Sequence, residues 1–461
     1  MMHVQKLDML HGPIWSQLPR FALPVAATAI LEQLFNASDI AVVGNFTGAE
    51  RTAAVAAVGA NSPIIGLIVN LLIGVALGAN VVIARAVGQG DRNSVSRAVH
   101  TSVLVALLGG AGVAVLGELA AAPLLGLLNV PEEVLPLALL YLRIYLLGLP
   151  VILLYNFEAA IFRSVGETKT PLMALTVSGV LNVLLNLFFV AVTHMTVDGV
   201  AIATVLSNGV SSAILYRRLR GSTQEIRLEP AALRIDVATL KQILRIGLPA
   251  GIQSAVLAVS NIVIQSAVNS LGTVVMAASS AAFTIEVITY DILNSFSQAC
   301  TTFVGQNCGA GNVNRCRKTL LLCLTEGALA LAAAVALILC FGRQLLTVFN
   351  SDPEVVETGF IRLTMVMLSH SLSLLYEVLS GYLRGFGVSL APALLTMLGV
   401  CGVRIGWIQW VFPQNRTFRT LMTAYPVSLS ATALMMLVAL LCVRPGRQRK
   451  KPLRSHRIQR S

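Results

Sequence analysis

The hydrophobic positions of the chain form long runs that are separated by short polar connectors. Each run lasts about 20 residues or more, the length that an α-helix needs to cross the hydrocarbon core of a bilayer. The strands of a membrane barrel would instead show shorter segments of alternating polarity. The pattern therefore predicts an all-α membrane protein with twelve transmembrane helices, near residues 15–44, 53–82, 95–118, 134–160, 170–192, 198–217, 238–268, 274–303, 317–341, 357–383, 388–411 and 417–443.

The composition excludes a soluble protein. Charged residues make up 12% of the chain, hydrophobic residues 56%, and the mean hydropathy is +0.78, whereas a soluble domain carries about 25% charged residues. The sequence has no Walker loop, no zinc-type cluster and no GxSxG segment. We therefore expect no enzymatic activity, no cofactor and no resident metal. All seven cysteines lie from Cys300 onward and are expected to be free thiols.

The positive charges predict the orientation of the chain in a cell membrane. With both termini in the cytoplasm, 26 of the 33 Lys and Arg fall on the inner side, as the positive-inside rule requires. Because these residues alternate with spans, the net charge of +12 does not indicate nucleic-acid binding. The basic tail 444–461 either only orients the chain or also contacts anionic lipid. Three arginines fall within spans and are expected to snorkel from outer helix ends: Arg143, Arg362 and Arg404.

The two halves of the sequence repeat each other. Leu-Leu-Tyr at 153–155 recurs at 374–376, and Arg163 recurs 221 residues later as Arg384. The glycine-containing connector 87–91 has a counterpart at 308–312. Six spans return the chain to its starting side, so the two repeats are expected to share one orientation about an axis along the membrane normal. We predict an N-terminal six-helix lobe at 1–216, a cytoplasmic linker at 217–237, a C-terminal lobe at 238–443 and the tail.

Several motifs resemble those of the multidrug and toxic compound extrusion (MATE) family. The first span contains Leu-Phe-Asn-Ala-Ser-Asp-Ile-Ala-Val-Val-Gly at 34–44, and residues 162–171 read Phe-Arg-Ser-Val-Gly-Glu-Thr-Lys-Thr-Pro. In the second motif, Glu167 replaces an aspartate of the family pattern. The segment Leu-Arg-Gly-Phe-Gly at 383–387 is a second copy. The resemblance spans about residues 15–443 and implies export of amphipathic, often cationic drug-like compounds in exchange for H⁺ or Na⁺.

Polar side chains in the first lobe mark a candidate coupling site. Glu32, Asn36 and Asp39 follow helical spacing and share one face of the first span. The resemblance implies that Asp39 works with Asn182 and Asn186 of the fifth span and Thr204 of the sixth, and that a transient Na⁺ is one alternative to a proton there. Burial disfavours the charged form of a carboxylate, so Asp39 is expected to take up a proton readily. The alternative reading is that these groups only hold helices together through hydrogen bonds.

The substrate path is expected to run past Glu32 and Asn36 and along a polar face of the second lobe. Glu286, Tyr290 and Asn294 follow helical spacing in the eighth span, Asp291 lies close by, and Glu377 lies in the tenth span. The acids of this face are predicted to attract cations, or else to form a buried polar cluster.

The resemblance also concerns two further features of the sequence. The acids that bind sodium in some relatives would align with Leu257 and Ser373, so that site is expected to be missing. Pro24 and Pro249 each lie early in the first span of a repeat. Proline removes a helical hydrogen bond, so both are predicted kinks that are either static or bend during transport.

Two other functions stay open at the level of sequence. A related fold also serves as a flippase for lipid-linked oligosaccharides, whose phosphates need several basic residues. A membrane-embedded enzyme would need a convergent catalytic set, which the sequence does not show. Neither the natural substrate nor the choice between H⁺ and Na⁺ can be read from the residues. The protein is expected to act as a monomer.

The predicted orientation can be tested at Ser222 in the linker. With the native thiols removed, a cysteine at this position should react with a maleimide only after the reagent is given access to the cytoplasm. Labelling of intact cells by an impermeant maleimide would contradict the span assignment.

Overall fold

The computed structural model describes residues 7–47, 51–128, 130–223 and 225–443, and the predicted tail 444–461 lies outside these ranges. The described residues contain long helices and no strand. Eleven helices in this part of the chain are long and apolar enough to cross a membrane. The helix Ile14–Phe46 is also long enough, at 33 residues, and brings the number to the twelve that the sequence predicts.

We number the helices in chain order. They are α1 Ile14–Phe46, α2 Arg51–Gln89, α3 Arg92–Leu127, α4 Leu135–Ser164, α5 Lys169–Val192, α6 Val197–Arg220, α7 Val237–Asn269, α8 Thr273–Gly309, α9 Val313–Thr347, α10 Pro353–Gly385, α11 Leu390–Gln414 and α12 Phe418–Val443. Helices α5 and α11 contain π-helical turns at Phe188–Val192 and Trp407–Val411, and α11 has another at Met397–Gly402.

Several helices extend well past the predicted spans. Helix α2 includes the first three residues of the segment 87–91, and α8 includes the first two of the segment 308–312, so only the residues after Gln89 and Gly309 form the turns. Helix α6 continues to Arg220, so the boundary predicted at residue 216 falls inside its last turn. Hydropathy marks the stretch that lipid covers, whereas a helix can continue into water wherever its hydrogen bonds persist.

The repeat seen in the sequence has a counterpart in the backbone. Gly90 and Gly311, 221 residues apart, have φ of 69° and 78°, and Gly166 and Gly387 have φ of 84° and 75°. L side chains rarely adopt such angles, and glycine does so without steric cost. The same turn therefore ends α2 and α8, and another ends α4 and α10.

The two lobes approach each other closely along α2 and α7. A Cβ placed on Gly74 would fall on the backbone of Gly251, and one placed on Gly78 would fall on the backbone at Ile243 and Gly247. Small residues allow helix backbones this close in a bilayer, where packing rather than hydrophobicity drives association. We call this contact the glycine seam, formed by Gly74, Gly78, Gly247 and Gly251.

Further contacts between the lobes lie towards the end of the bundle that carries the linker. Thr302 of α8 donates to Asn80 of α2 at 3.0 Å, and the Gln306 side chain donates to the carbonyl of Ser164 at 2.7 Å. The rings of Phe21 and Phe303 meet edge to face with centroids 5.9 Å apart. The lobes are therefore joined at the linker end of the molecule.

The linker packs against the first lobe instead of hanging between the lobes. Ile226 and Leu228 are buried in that lobe's core, and His100 of α3 meets the backbone of Glu229 at 3.1 Å. The Thr101 hydroxyl then accepts from the amide of Asp236 at 3.1 Å. Asp236 caps α7, and hydrogen bonds from Thr239 hold the pKa of its carboxyl below the ordinary value.

The glycine seam predicts a sharp difference between two glycines of α2. Gly74→Ala places a methyl group against the backbone of α7, so it should separate the lobes, lower the midpoint of thermal unfolding by several degrees and reduce transport. Gly59→Ala is the matched control, because a Cβ there meets nothing within 4 Å, and it should leave both unchanged. Equal midpoints for the two variants in detergent would show that the seam does not stabilise the contact between the lobes.

Candidate functional site

Helices α1, α2, α4, α5 and α6 surround a cavity of about 460 Å³ in the first lobe, with both polar and apolar side chains in its wall. The three residues predicted to share a face of α1, Glu32, Asn36 and Asp39, all line it. Asn182 and Thr204 line it from α5 and α6. The fold therefore brings together residues that are far apart in the sequence but lie on facing helices.

Asp39 is the centre of this cavity's hydrogen-bond network. Its carboxylate accepts from the Asn186 amide at 2.6 Å and from the Thr204 hydroxyl at 3.2 Å, and Asn186 also donates to Asn182 at 3.3 Å. Asp39 is only 6% exposed. Within the described residues no Lys, Arg or His makes a salt bridge with it.

The chemistry of this network suits a small cation. A carboxylate removed from water is costly unless it is paired or neutralised, and here only neutral groups meet Asp39. The Asn186 carbonyl oxygen is buried without a hydrogen-bond partner. The carboxylate can therefore take up a proton, or the oxygens of Asp39, Asn182, Asn186 and Thr204 can surround a hard cation, which prefers oxygen ligands.

Three tyrosines of α4 also line the first-lobe cavity, Tyr141, Tyr145 and Tyr155, and sequence reasoning missed them. Tyr141 and Tyr145 of α4 line it with their rings stacked at 6.4 Å between centroids. Their i, i+4 spacing within a predicted span was the available signal. They add aromatic rings with a polar hydroxyl to a wall that also contains apolar side chains such as Ile65 and Val69.

A second cavity, of about 390 Å³, lies between the lobes, and we call it the central cavity. Glu286, Tyr290, Asn294 and Glu377 line it as the substrate-path prediction requires, whereas Asp291 lines neither this cavity nor the first-lobe cavity. Leu257 and Ser373 also line the central cavity. Both cavities share three lining residues, Asn70, Ile73 and Asn156, so they are neighbours.

The acids of the central cavity are already paired with arginines. Both Nε and Nη2 of Arg362 donate to Glu286, at 3.0 and 2.9 Å, and Arg384 lies 3.5 Å from Glu377. The Tyr290 hydroxyl also donates to Glu377 at 3.1 Å. The prediction that Glu286 offers a free negative charge to a cation therefore loses its main support.

The prediction that three arginines snorkel from outer helix ends is wrong for two of them. Arg362 and Arg404 are 2% and 6% exposed, and Arg404 lines the central cavity. Arg362 is held inward by its ion pair with Glu286, and Arg404 by a hydrogen bond to Ser428. Only Arg143 is half-exposed, 3.5 Å from Glu118.

Three other groups have a defined place in the structure. Pro24 and Pro249 both lie inside continuous helices, α1 and α7. Glu158 of α4 is fully buried, and the Ser212 hydroxyl donates to it at 2.8 Å. Sequence reasoning missed Glu158, although it is the one acidic residue of the fourth predicted span, 134–160.

Comparisons with known proteins agree with this architecture. One family model, MatE, matches the chain at residues 24–188 and again at 249–408, more than half of its length. The chain belongs to the MatE family of membrane transporters. A model that matches twice is also what the internal repeat would produce. The predicted all-α fold and the resemblance to multidrug and toxic compound extrusion transporters are confirmed.

Individual relatives of this MatE transporter are distant but nearly full-length. The chain is similar to the probable multidrug resistance protein YoeA of Bacillus subtilis, at 25% identity over 85% of this chain and 86% of the relative. It is also similar to an FAD transporter of Shewanella oneidensis, at 26% identity over 76% and 77% of the two chains. A solved MATE transporter in an outward-facing conformation shares the fold, with a TM-score of 0.87, 21% identity and coverage of 96% and 98%.

The ion pair between Glu286 and Arg362 predicts a stability effect in this MatE transporter. Glu286→Gln leaves a buried guanidinium without its anion, which should cost about 3–5 kcal/mol and lower the midpoint of thermal unfolding of the detergent-solubilised protein. Glu357→Gln is the control, because it breaks an exposed pair with Arg343 and should leave the midpoint nearly unchanged. If Glu286→Gln kept wild-type stability and selectively lost transport of cationic dyes, Glu286 would be a cargo residue after all.

Proposed function

We propose that this MatE transporter exports amphipathic small molecules across a cell membrane in exchange for H⁺ or Na⁺. The observation that carries the proposal is the buried carboxylate of Asp39, which meets only the neutral partners Asn186 and Thr204. Relatives that are named multidrug resistance proteins support small drug-like cargo. One relative is named an FAD transporter, so the cargo range of the family is wider than cationic drugs alone.

Coupling follows from the change of charge at Asp39. When its carboxylate binds a proton or Na⁺, the charge is neutralised and its hydrogen bonds with Asn186 and Thr204 must rearrange. Asp39 lies on α1, whose opposite end contacts the second lobe through Phe21 and Phe303. A cation bound preferentially in one arrangement of the lobes shifts the population towards that arrangement. Cargo in the neighbouring central cavity is then released as the ion is taken up.

The second candidate is a flippase for lipid-linked oligosaccharides, and one observation favours it. Arg163, Arg384 and Arg404 line the central cavity, so basic residues are present where the sequence suggested only acids and amides. A lipid-linked pyrophosphate needs several such groups together. Arg384 is paired with Glu377 and Arg163 faces Gln298 at 3.3 Å, which leaves fewer free cations than that cargo requires.

Asp39→Asn tests the proposed coupling. The amide keeps the shape of the protonated acid but cannot exchange its proton, so the variant should fold normally and lose uphill export. The measurement is dye efflux from proteoliposomes under an imposed pH or sodium gradient. The same vesicles should still exchange labelled for unlabelled dye at equilibrium, because cargo binding does not need the carboxylate.

The control for this experiment is Glu133→Gln, which removes a carboxylate from an exposed position of the same lobe and should pump like the wild type. Uphill export by purified Asp39→Asn at a near wild-type rate would show that coupling occurs elsewhere. Uptake of a lipid-linked oligosaccharide by wild-type vesicles that ignore all dyes would favour the flippase.

A further inference from the structure

The central cavity contains a buried positive charge that no acid of the described chain compensates. Arg404 is 6% exposed, lines the cavity from α11, and makes no salt bridge within the described residues. Placing an arginine in the middle of a bilayer costs about 2.5–3.5 kcal/mol even on the most lenient scales. A residue with that cost usually faces a water-filled path or a ligand.

Two other buried arginines of the second lobe are each paired with a glutamate. Arg362 lies 2.9 Å from Glu286, and Arg384 lies 3.5 Å from Glu377. These two pairs use both glutamates that line the central cavity. Arg404 therefore adds a net positive charge to a cavity whose acids are already engaged.

The groups around Arg404 hold its guanidinium while leaving part of it free to donate. Its Nε donates to the Ser428 hydroxyl at 3.1 Å, and its Nη1 makes only a long contact, 3.5 Å, with Asn261. The guanidinium carbon lies 4.3 Å from the centre of the Tyr425 ring, a cation–π contact that fixes the plane of the fork. The Nη atoms can therefore bind an oxyanion, which a guanidinium recognises through two parallel hydrogen bonds.

The rest of the cavity suits the body of an amphipathic molecule. Aromatic rings of Phe283, Tyr290, Tyr376 and Tyr425 line it, together with the apolar side chains Ile73 and Leu257. Its volume of about 390 Å³ falls within the range of small-molecule sites, about 300–1,000 Å³. A ligand with an anionic head and an apolar or aromatic body matches both features.

We propose that Arg404 binds the carboxylate or phosphate group of an amphipathic cargo in the central cavity, so that the transporter accepts organic acids. This inference rests on the proposed transport function and names its substrate class. It reverses the charge preference expected from the sequence, because the acids on which that expectation rested are paired or outside the cavity. Arg163 of the first lobe also lines the central cavity and adds a second cation to it.

Binding to the purified transporter tests the proposal without any ion gradient. The probes are pyrenebutyric acid and its methyl ester, which share one aromatic body and differ in one charge, measured by pyrene fluorescence in detergent. The acid should bind at least about tenfold more tightly than the ester, as expected for one charge-assisted contact. Arg404→Gln should remove this preference by weakening the acid about tenfold and leaving the ester within about twofold.

Two further variants separate recognition from folding. Arg404→Lys keeps the charge but loses the planar fork, so it should retain part of the preference for the acid. Arg143→Gln removes a half-exposed arginine that lines neither cavity, and this variant should bind both probes like the wild type. Gel filtration and thermal unfolding show whether each variant is folded. If Arg404→Gln does not fold, the wild-type preference and Arg404→Lys still decide the proposal.

Three results would overturn the inference. The first is equal affinity of the wild type for acid and ester, and the second is an equal loss of both in a folded Arg404→Gln, which would make Arg404 a structural link between α11 and α12. The third is loss of acid binding in nanodiscs that contain phosphatidylglycerol but not in pure phosphatidylcholine, which would assign the site to a lipid headgroup. Failure of the gradient experiment at Asp39 would leave these binding results unaffected.

Discussion

The cost of placing charge in hydrocarbon determines where the ionisable side chains of this transporter lie. A lipid-facing carboxylate or guanidinium finds neither water nor a counter-ion, so each one must turn inward to a partner or a cavity. Three solutions occur among the described residues. Glu286 is neutralised by Arg362, Asp39 is surrounded by neutral donors, and Arg404 is left with hydroxyl, amide and ring contacts. In our interpretation, the pair of Glu286 and Arg362 stabilises the fold, Asp39 couples transport to an ion, and Arg404 binds the cargo.

The sequence predicted the architecture well because a chain segment that crosses lipid must satisfy its own backbone hydrogen bonds, so a long apolar run forms a helix. Span number and helical content follow from the length of apolar runs, and the duplicated halves follow from recurring positions such as Arg163 and Arg384. The spacing of Glu32, Asn36 and Asp39 also placed them together on one cavity wall. Such properties depend on one helix at a time, and periodicity reports them directly.

Properties that depend on two helices were not available from periodicity. The sequence does not show that Glu286 on α8 meets Arg362 on α10, and this single contact changed the expected charge of the central cavity. For the same reason Arg362 and Arg404 were placed at helix ends, since a lone arginine in a span usually reaches for water. Asp291 was included only because it follows Tyr290 in the sequence, and one step along a helix turns the side chain by about 100° away from its neighbour. The resemblance to a known family supplied the partners of Asp39, which no local pattern would have paired across 147 residues.

The docked linker has a mechanical consequence. Because Leu228 is buried in the first lobe and Glu229 is fastened to His100, most of this connector moves as part of that lobe. The covalent connection to the second lobe is therefore short and lies beside Asp236, whose amide still donates to the Thr101 hydroxyl. A short tether of this kind limits how far the halves can slide along each other while leaving them free to tilt. The hinge between the lobes is therefore expected at the linker end of the molecule, where the two lobes are already in contact.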